Sequence, residues 1–223
     1  MQSNKDFWSD TFKNKKDNTR YPDTEFVGFC FRNLPKKASV LDVCCGAGRH
    51  VRFLSENDFK TYACDVAEGA IEYTGNLINS LNLKADLKVI KTIANLPYDN
   101  NAFDALISSN ALFYATKDEL EQNAHEIYRV LKEGGKAFLT LRSINDYRHI
   151  NAVQNGKYDV IVYEKDNSRQ GYKENGMKCH NFDKEEVLRI YSKAFKNIEI
   201  NKSTISRQND TILDESFIVI LTK

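Results

Sequence analysis

Residues 40–54 read VLDVCCGAGRHVRFL. Val40, Leu41 and Val43 make a short apolar run of the buried-strand kind, interrupted by one acid, Asp42. Two cysteines and two glycines follow, and from Arg49 onward Val51 and Leu54 fall at helical spacing. The stretch predicts a strand, a tight turn and a helix. Gly46 and Gly48 supply what such a turn needs, a left-handed backbone and close approach of main chain to a neighbour, both of which a Cβ obstructs. Cys44 and Cys45 read as small apolar fillers where the chain leaves the strand, with nothing that activates either thiol.

The alternation begun here continues for about a hundred residues. SVLDVC (39–44), FKTYACDV (59–66), DLKVIKT (86–92), FDALISSN (103–110) and KAFLTLRS (136–143) read as strands. Between them RHVRFLSEN (49–57), AEGAIEYTGNLINSLN (67–82) and KDELEQNAHEIYRVLK (117–132) carry helical periodicity. The second helix places Ile71, Leu77, Ile78 and Leu81 inward; the third places Leu120, Ala124, Ile127, Val130 and Leu131 inward and is expected to stop at Gly134–Gly135. Such alternation means βαβ units, hence a parallel sheet covered on both faces. DKEEVLRIYSKAF (183–195) reads as a last helix, and KNIEINKSTI (196–205) and ESFIVILTK (215–223) lie close enough in sequence to pair antiparallel. The expected fold is α/β: a doubly wound, mostly parallel seven-stranded sheet ending in an antiparallel hairpin. One domain is expected over residues 1–223. Residues 1–37 would lie across an edge or the mouth, and a polar insertion spans 144–181, with YDVIVYE (158–164) its one strand-like run.

Composition narrows the partners. Lys and Arg number 32 against 31 Asp and Glu, a net charge of +1, and no basic stripe marks a nucleic-acid surface. The N-terminus lacks the apolar core of a signal peptide, and no apolar run reaches the roughly 18 residues of a membrane span. Five cysteines, an odd number with two adjacent, read as reduced thiols, so a cytoplasmic location is expected. No CxxC occurs, and His50, His125, His149 and His180 show no two-ligand helical spacing. Cys179–His180 with Asp183 nearby falls short of the four ligands of structural zinc, and no metal is expected.

In an open α/β sheet ligands bind outside the carboxyl ends of the strands, which puts the glycine turn at the mouth. Asp65, ending the second strand, is placed to take both hydroxyls of a ribose. Two details choose the cofactor. A dinucleotide site wants a third glycine, and GAGRHV has Val51 there. Asp42 would repel a pyrophosphate but attract an ammonium and a sulfonium. The pattern points to S-adenosylmethionine (SAM), the rival reading of Asp42 being a charge stabilised at a helix N-terminus.

VLDVCCGAGRH resembles the first motif of the class I SAM-dependent methyltransferases, and ACDVAEGAIEYT their second. LPYDNNAFDALISSNALFYA is similar to their approach to the fourth strand, and EIYRVLKEGGKAFLTLRS to the helix, glycine stop and fifth strand. The likeness spans residues 38–143 and returns weakly in the last hairpin. It implies that Asp42 neighbours the methionine amino group and that the turn from Cys44 through Gly46 to Gly48 wraps the methionine part. It also implies that Asp65 holds the ribose with Val66 against adenine, that Thr92 and Ile93 meet the adenine edge, and that Asn110 and Leu112 face the sulfonium. Two positions depart from the family: Cys44 stands where glycine is usual, and Thr92 where aspartate is frequent.

The resemblance further implies a transfer of methyl to O or N of a small polar metabolite, leaving S-adenosylhomocysteine (SAH). Such an in-line displacement from a good leaving group needs positioning more than a protein base. His180, after the insertion, and Tyr114, past the fourth strand, are the candidates for acceptor contact or proton removal. Tyr21, in NTRYP, is a candidate cofactor contact, and FWSDTF (7–12) with NTRYP (18–22) is read as a lid anchored by Trp8. A SAM-binding regulatory subunit without turnover is the alternative, and an NAD-linked oxidoreductase is disfavoured by Val51 and Asp42. The oligomeric state is not legible.

Overall fold

Every second residue of the central strands points to the same face, and both faces are apolar. Val40, Ala105, Ile107 and Phe138 pack with Phe26, Phe29 and Leu54 on one side of the sheet. Leu41, Val43, Leu106, Leu139 and Leu141 pack on the other with Leu120, Ile127, Ile190 and Tyr191. This two-sided burial is what makes a parallel sheet stable. The computed structural model describes residues 3–13 and 19–223.

In chain order the elements are α1 (Asn4–Lys13), α2 (Thr24–Asn33), β1 (Ser39–Val43), α3 (Arg49–Glu56), β2 (Lys60–Asp65), α4 (Glu68–Ser80), β3 (Asp86–Val89) and β4 (Phe103–Ser109). They continue with α5 (Lys117–Val130), β5 (Leu131–Arg142), α6 (Tyr147–Ile150), β6 (Val153–Gln154), β7 (Asp159–Ile161), β8 (Lys178–His180), α7 (Lys184–Tyr191), β9 (Asn197–Arg207) and β10 (Ile212–Thr222). The main sheet has seven strands in the order β3-β2-β1-β4-β5-β10-β9. β10 pairs antiparallel with both β5 and β9, and the other pairings are parallel. The order reverses beside β1, which opens the crevice between β1 and β4.

Four expectations are corrected in detail. Leu77 and Leu81 do not line the inner face of α4: its buried stripe is Ala70, Thr74 and Ile78 at i, i+4 spacing, and Leu81 is 38% exposed. The α5 helix ends at Val130, before the glycines, because Leu131 turns extended and pairs with Phe103; a bulge then restores register at Ala105 and Lys136. Within residues 1–37, α2 is part of the core, with Phe26, Phe29 and Cys30 buried, while α1 lies over the mouth against α4. Residues 14–18 of the expected lid lie outside the described residues. The insertion builds its own three-stranded antiparallel sheet, β6-β7-β8, in place of a single strand-like run. Among the described residues no helix is long and apolar enough to cross a membrane.

Candidate active site at the carboxyl ends of the strands

The turn after β1 is left-handed at three positions: Cys44 (φ 61°), Gly46 (φ 54°) and Gly48 (φ 75°). The amides of Cys44 and Cys45 both donate to the Cys64 carbonyl at 2.8 and 3.2 Å, which ties the turn to the end of β2. Gly48 is required twice over, because a Cβ there would also stand 2.7 Å from the Thr74 side chain. Thr74 Oγ1 in turn donates to the Gly46 carbonyl at 2.9 Å. Asp65 closes the arrangement: Oδ2 accepts from the Gly46 amide and Oδ1 from the Ala67 amide, both at 2.9 Å. Burial raises the Asp65 pKa, and these amides oppose the rise. The same burial keeps the Cys44 and Cys45 thiols protonated, so neither is an activated nucleophile.

Asp42 is 1% exposed and its Oδ2 has no hydrogen-bond partner. Burial pushes its pKa up to about 8; Arg49 opposes this, and the charges of Asp65 and Asp23 add to it. Asp23 behaves oppositely. Against its own burial, the His50 hydrogen bond, the Arg49 charge and the Ser109 hydroxyl hold it down at about 2. Its Oδ2 accepts from Arg49 and from Ser109 Oγ, each at 2.7 Å. One ionised acid and one acid burdened by burial therefore lie around the crevice. An uncompensated buried carboxylate oxygen is a strong demand for a cation.

The parallel pairing of Asp65 with Val89 sets the ends of β2 and β3 side by side. Val66, half-buried, follows β2, and Thr92 and Ile93 follow β3. Thr92 Oγ1 donates to Glu119 Oε1 at 3.1 Å and accepts from the Ala94 amide, while the Ile93 carbonyl accepts from Asn123. Asn110, left-handed at φ 56°, donates its amide to Thr140 Oγ1 at the mouth.

Leu112, Tyr21 and His180 have the following surroundings. Leu112, on the 3₁₀ turn Leu112–Tyr114 that follows β4, is 1% exposed within the core cluster. Tyr21 is 74% exposed, with the Arg20 guanidinium 5.9 Å from its ring centroid. His180 is buried with Nδ1 2.8 Å from Asp159 Oδ1 and Nε2 2.9 Å from Glu186 Oε1, so neither ring nitrogen is open to an acceptor. Tyr114 follows β4 and contacts both the Trp8 ring and the guanidinium of Arg142. Among the described residues, no three His, Cys, Asp or Glu are grouped to hold a metal ion.

The structure adds residues that sequence reasoning missed. Asp23 directly follows the expected lid stretch NTRYP and stands one residue before α2. Phe12 lies on the glycine turn, its Cζ 3.1 Å from where a Gly46 Cβ would stand. Arg142 ends β5 and is 2% exposed, a placement visible only once the strand was known to point at the mouth.

A sheet of this order, with a glycine turn after β1 and an acid ending β2, defines a Rossmann-like nucleoside-cofactor protein. Residues 40–135 match the family model described as a methyltransferase domain, and in fold the chain is similar to SAM-dependent methyltransferases. Its fold is similar to a SAM-dependent methyltransferase from Methanosarcina mazei, at 19% identity and TM-score 0.71, covering 87% of this chain and 96% of that one. In sequence it is 32% identical over 127 residues to the 24-methylenesterol C-methyltransferase 2 of Arabidopsis thaliana (55% of this chain, 33% of that protein). It is 27% identical over 122 residues to a tRNA (carboxymethyluridine(34)-5-O)-methyltransferase of Xenopus tropicalis (54% of this chain, 18% of that protein). The chain thus spans a third or less of these two relatives.

Proposed function

We propose that this protein transfers the methyl group of SAM to O or N of a small-molecule acceptor. The observation that carries the reading is the unpartnered, buried Oδ2 of Asp42 beside a left-handed glycine turn. The methionine ammonium suits that oxygen, and the turn admits a ligand against its backbone. Asp65 and Val66 would hold the ribose and adenine, with Thr92, Ile93 and Asn110 completing the contacts. The bound cofactor supplies an electrophilic methyl on a good leaving group. The chain's own residues then orient the acceptor and exclude water.

The acceptor side favours a small molecule because aromatic side chains cover it. Trp8 stacks on Phe12 and meets Tyr114 edge-on, narrowing the approach to the turn. Calorimetric titration with SAM, SAH and NADH in parallel tests the cofactor, and labelled methyl from SAM tests turnover. Binding of SAM and SAH with label in a small-molecule fraction is the expected result. Binding of NADH alone would sink the assignment of Asp42, and label confined to RNA or protein would sink the small-molecule acceptor. Tight SAM binding without transfer to any fraction would favour a non-catalytic SAM-binding subunit.

A further inference from the structure

Trp8 Nε1 and Arg142 Nε are buried donors without a partner, and both side chains contact Tyr114. The Trp8 ring meets Tyr114 with centroids 5.4 Å apart. The Arg142 guanidinium stands 5.7 Å from the Tyr114 centroid and 4.0 Å from that of Phe113. The rest of Arg142 is engaged: one terminal nitrogen donates to Glu174 Oε2 at 2.8 Å and the other rests 3.8 Å from Cys179 Sγ. Glu174, the nearest acid, is turned to Arg142 and lies 3.5 Å from Arg148, which Asp146 also holds at 2.8 Å.

Among the described residues in contact with Tyr114 or flanking Arg142, none is poised to take a proton. Burial and the Glu174 charge keep the Tyr114 hydroxyl protonated against the influence of Arg142. Burial pushes the Cys179 thiol up to about 12, and His180 spends both nitrogens on Asp159 and Glu186. A nucleophile entering here meets N–H and O–H donors and must ionise by itself. The walls are flat and aromatic: Trp8 and Phe12 lie 5.6 Å apart at 23°, with Phe7 edge-on to Trp8.

We propose that the methyl acceptor is a flat, conjugated oxygen acid of the phenol, enol or aryl-carboxylate class. It binds as its anion, with the oxygen accepting from Trp8 Nε1 and Arg142 Nε. The proposal rests on the methyl-transfer reading above. The acceptor oxygen forms the O–CH3 bond with its own lone pair, and the methyl–sulfur pair leaves with sulfur as neutral SAH. No proton passes to the protein, since the acceptor arrives ionised.

The test titrates the SAH-loaded protein with benzoate, 4-nitrophenol, cyclohexanecarboxylate and benzylamine. Benzoate and 4-nitrophenol bind, cyclohexanecarboxylate is weaker by about tenfold, and benzylamine does not compete. At the pH where free 4-nitrophenol is half ionised, binding deepens its yellow anion colour. Trp8→Phe and Arg142→Lys each weaken benzoate by about tenfold while SAH affinity stays within about twofold. Trp8→Phe, on a half-exposed helix, carries the test if Arg142→Lys does not fold. The proposal is overturned by benzylamine binding as tightly as benzoate, by bleaching of 4-nitrophenol on binding, or by unchanged benzoate affinity in Trp8→Phe. It is equally overturned if SAH binds and neither oxygen acid does. Failure of SAH to bind is seen before any acceptor is added, and refutes the methyl-transfer reading itself.

Discussion

At residue 42 a carboxylate sits inside the sheet with one oxygen unpaired and a pKa raised to about 8. An acid whose pKa is raised by folding binds its proton more tightly folded than unfolded, so stability falls as pH rises between the two values. For Asp42 that window runs from about 4 to about 8. Below it the group is neutral in both states and exacts no penalty. Asp42→Asn keeps the shape and removes the charge, so its urea midpoint should fall less between pH 5 and pH 8 than that of the wild type. The same variant should bind SAM about tenfold more weakly, a loss of one charge-assisted hydrogen bond read by calorimetry. At Gly48 the backbone is left-handed and Thr74 occupies the space of a Cβ. Gly48→Ala should therefore cost about 2–3 kcal/mol, measured by denaturant unfolding; an unchanged midpoint would mean the turn relaxes freely.

Helix α1 is the element whose position matters most for the site. Asn4 Nδ2 donates to the carbonyls of Tyr114 and Lys178 at 3.0 and 2.9 Å. At its other half Ser9 Oγ accepts from the Gly69 amide, and the Ser9 carbonyl would stand 2.3 Å from a Gly69 Cβ. That glycine, at the start of α4, is what lets the two helices touch. Gly69→Ala has no backbone conflict within a helix and gains about 1 kcal/mol of helix propensity, yet it must push α1 away. Trp8 is the chain's one tryptophan, so its emission reports on α1. The expected result is a red-shifted emission with thermal stability kept or raised, and an unshifted spectrum would show that α1 adapts in place. SAM added to the wild type should also change this emission, because Phe12 of α1 lies on the turn proposed to hold the methionine part.

For the whole molecule the buried charges set opposing slopes with pH. Asp23, Glu215 and Glu186 have lowered pKa values despite their burial, because His50 and Arg49 favour the Asp23 anion, Ser143 and Asn145 the Glu215 anion, and Arg189 and His180 the Glu186 anion. Their stabilisation is complete above the unfolded carboxylate values near 4 and is lost as pH falls below them. Asp42 and Asp65, raised by burial, act in the other direction above about 4. Burial also lowers the pKa values of His50 and His149, which adds stability as pH rises toward their unfolded value near 6.5, so the maximum should fall between about pH 5 and pH 6.5. A urea-midpoint profile from pH 3 to pH 9 checks this, and a maximum at pH 8 would contradict the protonation of Asp42.

The succession of strands and helices, the glycine turn and the acids Asp42 and Asp65 are legible in the sequence because they are local. An apolar run fits a buried strand, a glycine permits a left-handed turn, and an acid at a strand end lies at the mouth wherever the strands are parallel. The end of α5 was misread because pairing of Leu131 with Phe103, a contact between distant segments, overrode the glycine stop. The acceptor side escaped for the same reason. His180 looked available until Asp159 and Glu186 were seen to take both its nitrogens, and Tyr21 looked placed until its exposure was known. The fold class, the glycine turn and the family resemblance are all carried by patterns within a few residues. Only the tertiary structure decided what faces the acceptor, because Trp8, Tyr114 and Arg142 come from three distant parts of the chain. Their unpaired donors became visible only after packing had accounted for the polar groups around them.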